Sequence, residues 1–152
     1  MQTLVKHDHR RRAAYDDDMV LWIDGQIQLL VEARYSELDV ENLVGELESM
    51  KNRESRALKN RLRVLMMHLL KCQYQPDHYK KGWHATLSEQ RMRLEQLLEA
   101  SPSLRPNVAE FARYGYTAAV ERAAAETHLP ESAFPSENPY SVEQLLDRDF
   151  KP

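Results

Sequence analysis

The chain is predicted to be all-α, a compact bundle of five to six helices joined by short loops, and three observations carry that prediction. Only 4 glycines occur in 152 residues, too few for the tight turns of a many-stranded sheet, whereas Leu, Glu, Ala, Arg and Gln, all good helix formers, dominate. Apolar residues recur every three or four positions through most of the chain, and no segment alternates with period two for long enough to be a strand. The composition, 42% apolar and 30% charged, is that of a globular protein with enough apolar material for one core.

In chain order, residues 1 to about 15 are polar and unpatterned and are expected to form a mobile tail, leaving 16–152 as a single helical domain. Asp17 or Asp18 caps a first helix, along which Val20, Ile23, Ile27, Leu30 and Val31 repeat at helical spacing. The pattern breaks around Tyr35 to Leu38, and Asp39 offers a second cap. Val40, Leu43, Val44, Leu47 and Met50 then form a stripe, with Glu41, Glu46 and Glu48 off it. Leu58, Leu62, Leu65 and Leu69 continue a stripe from about Arg53 to Gln73. The interval between Met50 and Leu58 is polar, so residues 40–73 are either two helices hinged near Lys51 and Asn52 or one long kinked helix.

Val64 to Leu70 is apolar nearly all round a helical wheel and is the expected most buried element. That helix ends before Pro76, because a residue preceding proline is pushed out of helical angles. Trp83, Leu87, Leu94, Leu97 and Leu98 mark a further helix ending near Ala100, followed by a turn at Ser101-Pro102-Ser103. Pro106 suits the first turn of the next helix, on which Val108, Phe111, Ala112, Gly115, Ala119 and Ala123 present small residues for close approach to a neighbour. Pro130, Pro135 and Pro139 punctuate a loop. Ser141 with Gln144 forms a capping box for a short last helix through Leu145 and Leu146.

Several of these segments together resemble the bacterial domain-of-unknown-function family numbered twenty-nine. They are Tyr35 to Asp39, Glu46-Leu47-Glu48, Arg61 to Lys71, Gln73 to Pro76, Ser101 to Leu104, and the ending Pro139-Tyr140, Leu145 to Asp147, Asp149-Phe150 and Pro152. The likeness runs from about Tyr15 to the C-terminus. It implies an all-helical fold and a bacterial origin, and it implies no activity. One departure is Cys72, which stands where the family is expected to carry an aromatic, usually Trp.

Charge is segregated along the chain. Residues 1–50 carry a net −6, residues 51–93 a net +8 and residues 94–152 a net −5, within an overall −3. The central basic block has aromatic neighbours, so Arg53, Arg56, Lys59, Arg63, Lys80, Lys81 and Trp83 are the candidate surface for an anionic partner, the cations meeting phosphates and the aromatic stacking on bases. The competing expectation is that acidic neighbours neutralise this block within the fold or across a dimer, since a dedicated nucleic-acid binder is usually basic overall.

No constellation names a reaction. The chain contains no Glu-x-x-His pair of the kind that di-iron bundles use. Glu46 and Glu48, two apart, do not share a helix face, and Glu41, Glu46 and Glu48 read as a solvated or salt-bridging face rather than as metal ligands with His68. His68, on the flank of its stripe, reads as a hydrogen-bonded core histidine. His78 and His84 lack further ligands at zinc spacing apart from Asp77. The single cysteine, Cys72, closes the most apolar helix and reads as a small buried residue. Gly25, Gly45, Gly82 and Gly115 are scattered singly and form no phosphate loop. Trp22, Trp83 and Tyr74 fit core or interface positions.

The sequence therefore predicts no catalytic, cofactor or metal site. With no apolar run near the ~20 residues of a membrane span and no secretory leader pattern, a cytoplasmic protein without a membrane role is expected. The expected function is a non-catalytic protein-interaction or self-association module, with a protein partner or a homo-oligomer. The alternative is an accessory protein that binds nucleic acid through 51–93.

Overall fold

The structure is a computed structural model that describes residues 14–75 and 81–152, with the side chain of Lys81 left aside. The tail before Ala14 and Lys80 lie outside the described residues. The described chain is all-helical: α1 Met19–Val31, α2 Val40–Tyr74, α3 Lys81–Ala100, α4 Val108–Thr127 and α5 Val142–Leu146, with short 3₁₀ segments at Tyr35–Glu37, Pro102–Asn107 and Glu131–Ala133. Among the described residues there is no strand. The chain divides into two compact units at Lys51 and Asn52, the polar interval of the sequence, yet α2 runs through that point as one 35-residue helix. Its length is about 52 Å at 1.5 Å per residue.

The first unit is a helical hairpin. Asp18 caps α1 by accepting from the Leu21 amide at 2.9 Å. The helix stops in a Schellman turn, with the Arg34 amide donating to Leu29 O at 2.8 Å, the Ala33 amide donating to Leu30 O at 3.1 Å, and Ala33 left-handed at φ 56°. A left-handed alanine costs about 1 kcal/mol relative to glycine, and this one sits where the chain reverses. The Arg34 guanidinium holds Glu32 and Glu37 at 2.8 and 2.7 Å across the same turn. Asp39 then receives the Trp22 indole N–H at 3.1 Å, donates its amide to Gln26 Oε1 at 2.8 Å and accepts from Asn42 at the start of α2. The Tyr15 hydroxyl donates to Glu46 at 2.7 Å, and its ring meets Trp22 edge-on. Tyr15, ahead of α1, reaches Glu46 in the second turn of α2, whereas Trp22 and Gln26, further along, meet Asp39 just before α2, so the two helices run antiparallel.

The second unit is packed round the C-terminal half of α2. Leu58, Leu62, Leu65, Met66, Leu69 and Leu70 are fully buried, joined by Leu87, Leu94 and Leu98 of α3 and by Val108, Ala112, Ala119 and Ala123 of α4. Ala112, Ala119 and Ala123 of α4 are buried in this core, and a Cβ built on Gly115 would stand at ordinary van der Waals distance, 3.7 Å, from Met66 Cε. Helix α4 ends at a left-handed His128 (φ 60°) just ahead of Pro130. The capping box at Ser141 and Gln144 forms as the sequence predicts.

Arg91 ties this last helix down. Only 3% exposed, it donates to Leu145 O at 3.2 Å, Gln144 O at 3.0 Å and Phe150 O at 2.7 Å. It thereby supplies donors to carbonyls that a helix end leaves unsatisfied. Burial pulls the Arg91 guanidinium pKa down.

Leu65→Ala is expected to destabilise the chain by about 2–5 kcal/mol, because a buried leucine leaves a cavity that closes only in part. Tyr114→Ala, at a residue 67% exposed, is expected to change stability by less than about 0.5 kcal/mol. Urea melts of the two variants check this, and equal losses would contradict the placement of the core.

Candidate interaction surfaces

The hairpin and the second unit differ in what they leave in water. Trp22 is 3% exposed and Gln26 5%, and these are the buried residues of α1. The apolar stripe that periodicity marks on the same helix lies outside: Val20 is 69% exposed, Ile27 52% and Val31 82%, with Ile23 and Leu30 exposed as well. On the first turns of α2, Val40, Val44, Leu47 and Met50 are likewise exposed, Leu47 at 62%. Among the described residues of the second unit, only Met92 and Tyr114 are exposed large apolar side chains.

These two stripes share one side of the hairpin. At 100° per residue, the α1 stripe lies about 100° round from buried Trp22 and Gln26. The α2 stripe lies about 100° round, in the same rotational sense, from half-buried Asn42, Leu43 and Glu46. In antiparallel helices the same sense of offset puts both stripes on the same side, so they make one apolar face two helices wide. Its surroundings are acidic: from Ala14 to Met50 there are ten carboxylates and one arginine.

A second surface lies on α2 beyond the hairpin. Arg53, Arg56, Lys59 and Arg63 are all exposed and fall within an arc of about 120° on the side of the helix away from Leu58, Leu62 and Leu65. None of the four forms an ion pair with a described carboxylate, while other cations of the block are engaged. Lys71, buried, reaches Glu126 at 2.5 Å, and Arg93 pairs with Glu89. Lys59 Nζ instead stands 4.5 Å above the Phe111 ring. Beside it an open groove of about 440 Å³ runs between α2 and α4, lined by Lys59, Asn60, Arg63, Glu110, Phe111, Tyr114, Gly115 and Ala118. A further 330 Å³ opening, lined by Arg63, Val64, Met67, Ala118 and Arg122, adjoins it.

Of the sequence's candidate residues, four therefore come together on one helix face. Trp83 does not join them: it is 8% exposed and sits in the core, with Lys71 Nζ 4.7 Å from its ring centre. Aromatic residues beside the basic face come from α4 instead, as Phe111 and Tyr114, which a reading along 51–93 alone does not reach. No linear signal joins them to Lys59, since more than fifty residues separate the two.

The family described as Domain of unknown function DUF29 matches residues 14–151. The chain belongs to this family. No curated protein and no solved structure matches it.

Several buried or half-buried titratable groups of this DUF29 chain are shifted by their surroundings. Half-buried His68 donates from Nδ1 to Val64 O at 3.0 Å, and burial lowers its pKa. Cys72 is buried, and burial pushes its thiol up, away from thiolate chemistry. The Lys71 ammonium, hydrogen-bonded to Glu126, holds that carboxyl below its usual range. Burial pushes the Tyr116 phenol up to about 12, and its hydroxyl donates to Pro135 O at 2.8 Å. Tyr140, deeper still, is raised further and donates to Gln73 at 2.9 Å. Among the described residues, no group of three His, Cys, Asp or Glu side chains is placed to hold a metal ion. No described helix is long and apolar enough to cross a membrane.

Proposed function

We propose that this DUF29 chain is a non-catalytic interaction module of the bacterial cytoplasm that docks a protein through the apolar face of its N-terminal hairpin. One observation carries the reading: two apolar stripes at helical spacing, complete enough to predict a core, lie exposed together on one side of the hairpin. Contiguous exposed apolar surface rimmed by polar residues marks interaction sites in soluble proteins. The acidic rim disfavours an anionic lipid surface, which attracts basic helices. A photo-crosslinking amino acid at Ile27 or Leu47, in the native host, is expected to yield one discrete protein adduct, whether another protein or a second copy. At Tyr114 it is expected to yield none of that product. The same adducts from all three positions, or none from Ile27 and Leu47, would sink the reading.

A second reading is favoured by the four exposed cations on α2 that form no ion pair with a described carboxylate: contact with a nucleic acid along Arg53, Arg56, Lys59 and Arg63, beside Phe111 and Tyr114. Binding of mixed-sequence nucleic acid, followed by fluorescence anisotropy, should then weaken steeply as salt rises. Arg56→Glu/Arg63→Glu should weaken it at least ~10-fold at low ionic strength, on the order of the counterion-release contribution of two phosphate contacts. Absence of salt-dependent affinity at low ionic strength excludes this reading.

A further inference from the structure

We infer that the occupant of the hairpin face is the same face of a second copy, two hairpins closing face to face into a four-helix bundle about a two-fold axis. The inference rests on the docking reading above and adds the identity of the partner. Its first support is shape. Two antiparallel helices with both apolar stripes on one side are half of a four-helix bundle, which needs another such pair to close. A face that is the same on both partners is the requirement of a two-fold interface, the commonest closed symmetry of soluble proteins.

The second support is area. With the exposures the stripes show, and ordinary side-chain areas, each copy offers on the order of 900 Å² of apolar surface, against the ~800 Å² per partner of a standard stable interface. The third is the absence of a better match on the chain itself. Among the described residues outside the hairpin, the exposed large apolar side chains are the separated Met92 and Tyr114. Among the described residues, the hairpin face is thus the apolar surface of that size that one copy can present to another.

Charge gives the inference a sign of its own. Ten carboxylates and one arginine per hairpin repel across such a dimer, and salt screens that repulsion. The dimer therefore tightens as ionic strength rises, whereas a complex with a basic partner helix would loosen. The position of Leu21 supplies the internal control: it is 65% exposed but lies about 130° round α1 from the stripe, toward the opposite side of the hairpin.

Sedimentation velocity of the full chain, over a wide concentration range at low and high salt, tests this. The expected result is a monomer converting to a particle of twice the mass, at lower concentration in high salt. Ile27→Glu/Leu47→Glu should weaken the dimer more than ~100-fold by placing charges in the buried face, with helix content unchanged because both residues are exposed in the single chain. Leu21→Glu should dimerise as the parent does. The inference is overturned by a parent chain that stays monomeric at every concentration in both salts, by association that salt weakens, or by a dimer that survives Ile27→Glu/Leu47→Glu or is lost with Leu21→Glu. A monomeric parent whose Ile27 crosslinker still captures one foreign protein overturns the self-pairing while the docking reading stands. A monomeric parent with no adduct overturns both.

Discussion

A helix can bury its apolar stripe only where something lies against it, and α2 shows both outcomes along one continuous rod. Over its last five turns the stripe meets α3 and α4, and Leu58, Leu62, Leu65 and Leu69 reach zero exposure. Over its first three turns the stripe continues as Val40, Val44 and Leu47, and these remain in water. The apolar stripe keeps the same angular place on the helix in both halves, on either side of the polar interval between Met50 and Leu58. What changes is the neighbour, and the rest of the structure follows from that difference.

In the second unit, burial is completed by polar groups that find partners inside it. Arg91 is the clearest case, a guanidinium with little access to water that is satisfied by three carbonyls at the C-terminal end. Removing such a donor leaves buried carbonyls unsatisfied, which costs more than the bond contributes when made. Lys71 is held in the same way, between Glu126 and the face of Trp83. In the hairpin the polar groups do a different task. Asp39, Gln26, Trp22, Tyr15 and Glu46 join the two helices along their inner edge, which sets the pair's geometry while leaving one side of it apolar and open.

Much of this was legible from the residues. Helix starts and stops followed local chemistry, as with Asp18, Ser141 with Gln144, and the chain before Pro76. Val64 to Leu70 reads as the most buried stretch, and Leu65, Met66, Leu69 and Leu70 bear that out. The continuity of α2 through Lys51 and Asn52 was not legible, because a polar interval fits a hinge and a solvated turn of helix equally well. Nor was the exposure of the hairpin stripes: periodicity reports that a face is apolar, not whether the same chain covers it. Arg91 carried no signal, since a buried arginine looks like a surface one until its carbonyls, more than fifty residues away, are in place. Phe111 and Tyr114 were hidden from the basic block for the same reason of sequence distance.

The central claim is that the hairpin face is open in a single chain and closes on a partner. Methyl NMR with a soluble paramagnetic agent measures this directly, by how strongly each methyl is relaxed as the chain is concentrated. Ile27, Val31 and Leu47 should be strongly relaxed in dilute solution and become protected as concentration rises, while Leu65 and Leu69 stay protected throughout. Protection of Ile27, Val31 and Leu47 at every dilution would show that the chain covers its own stripes, and would contradict the account.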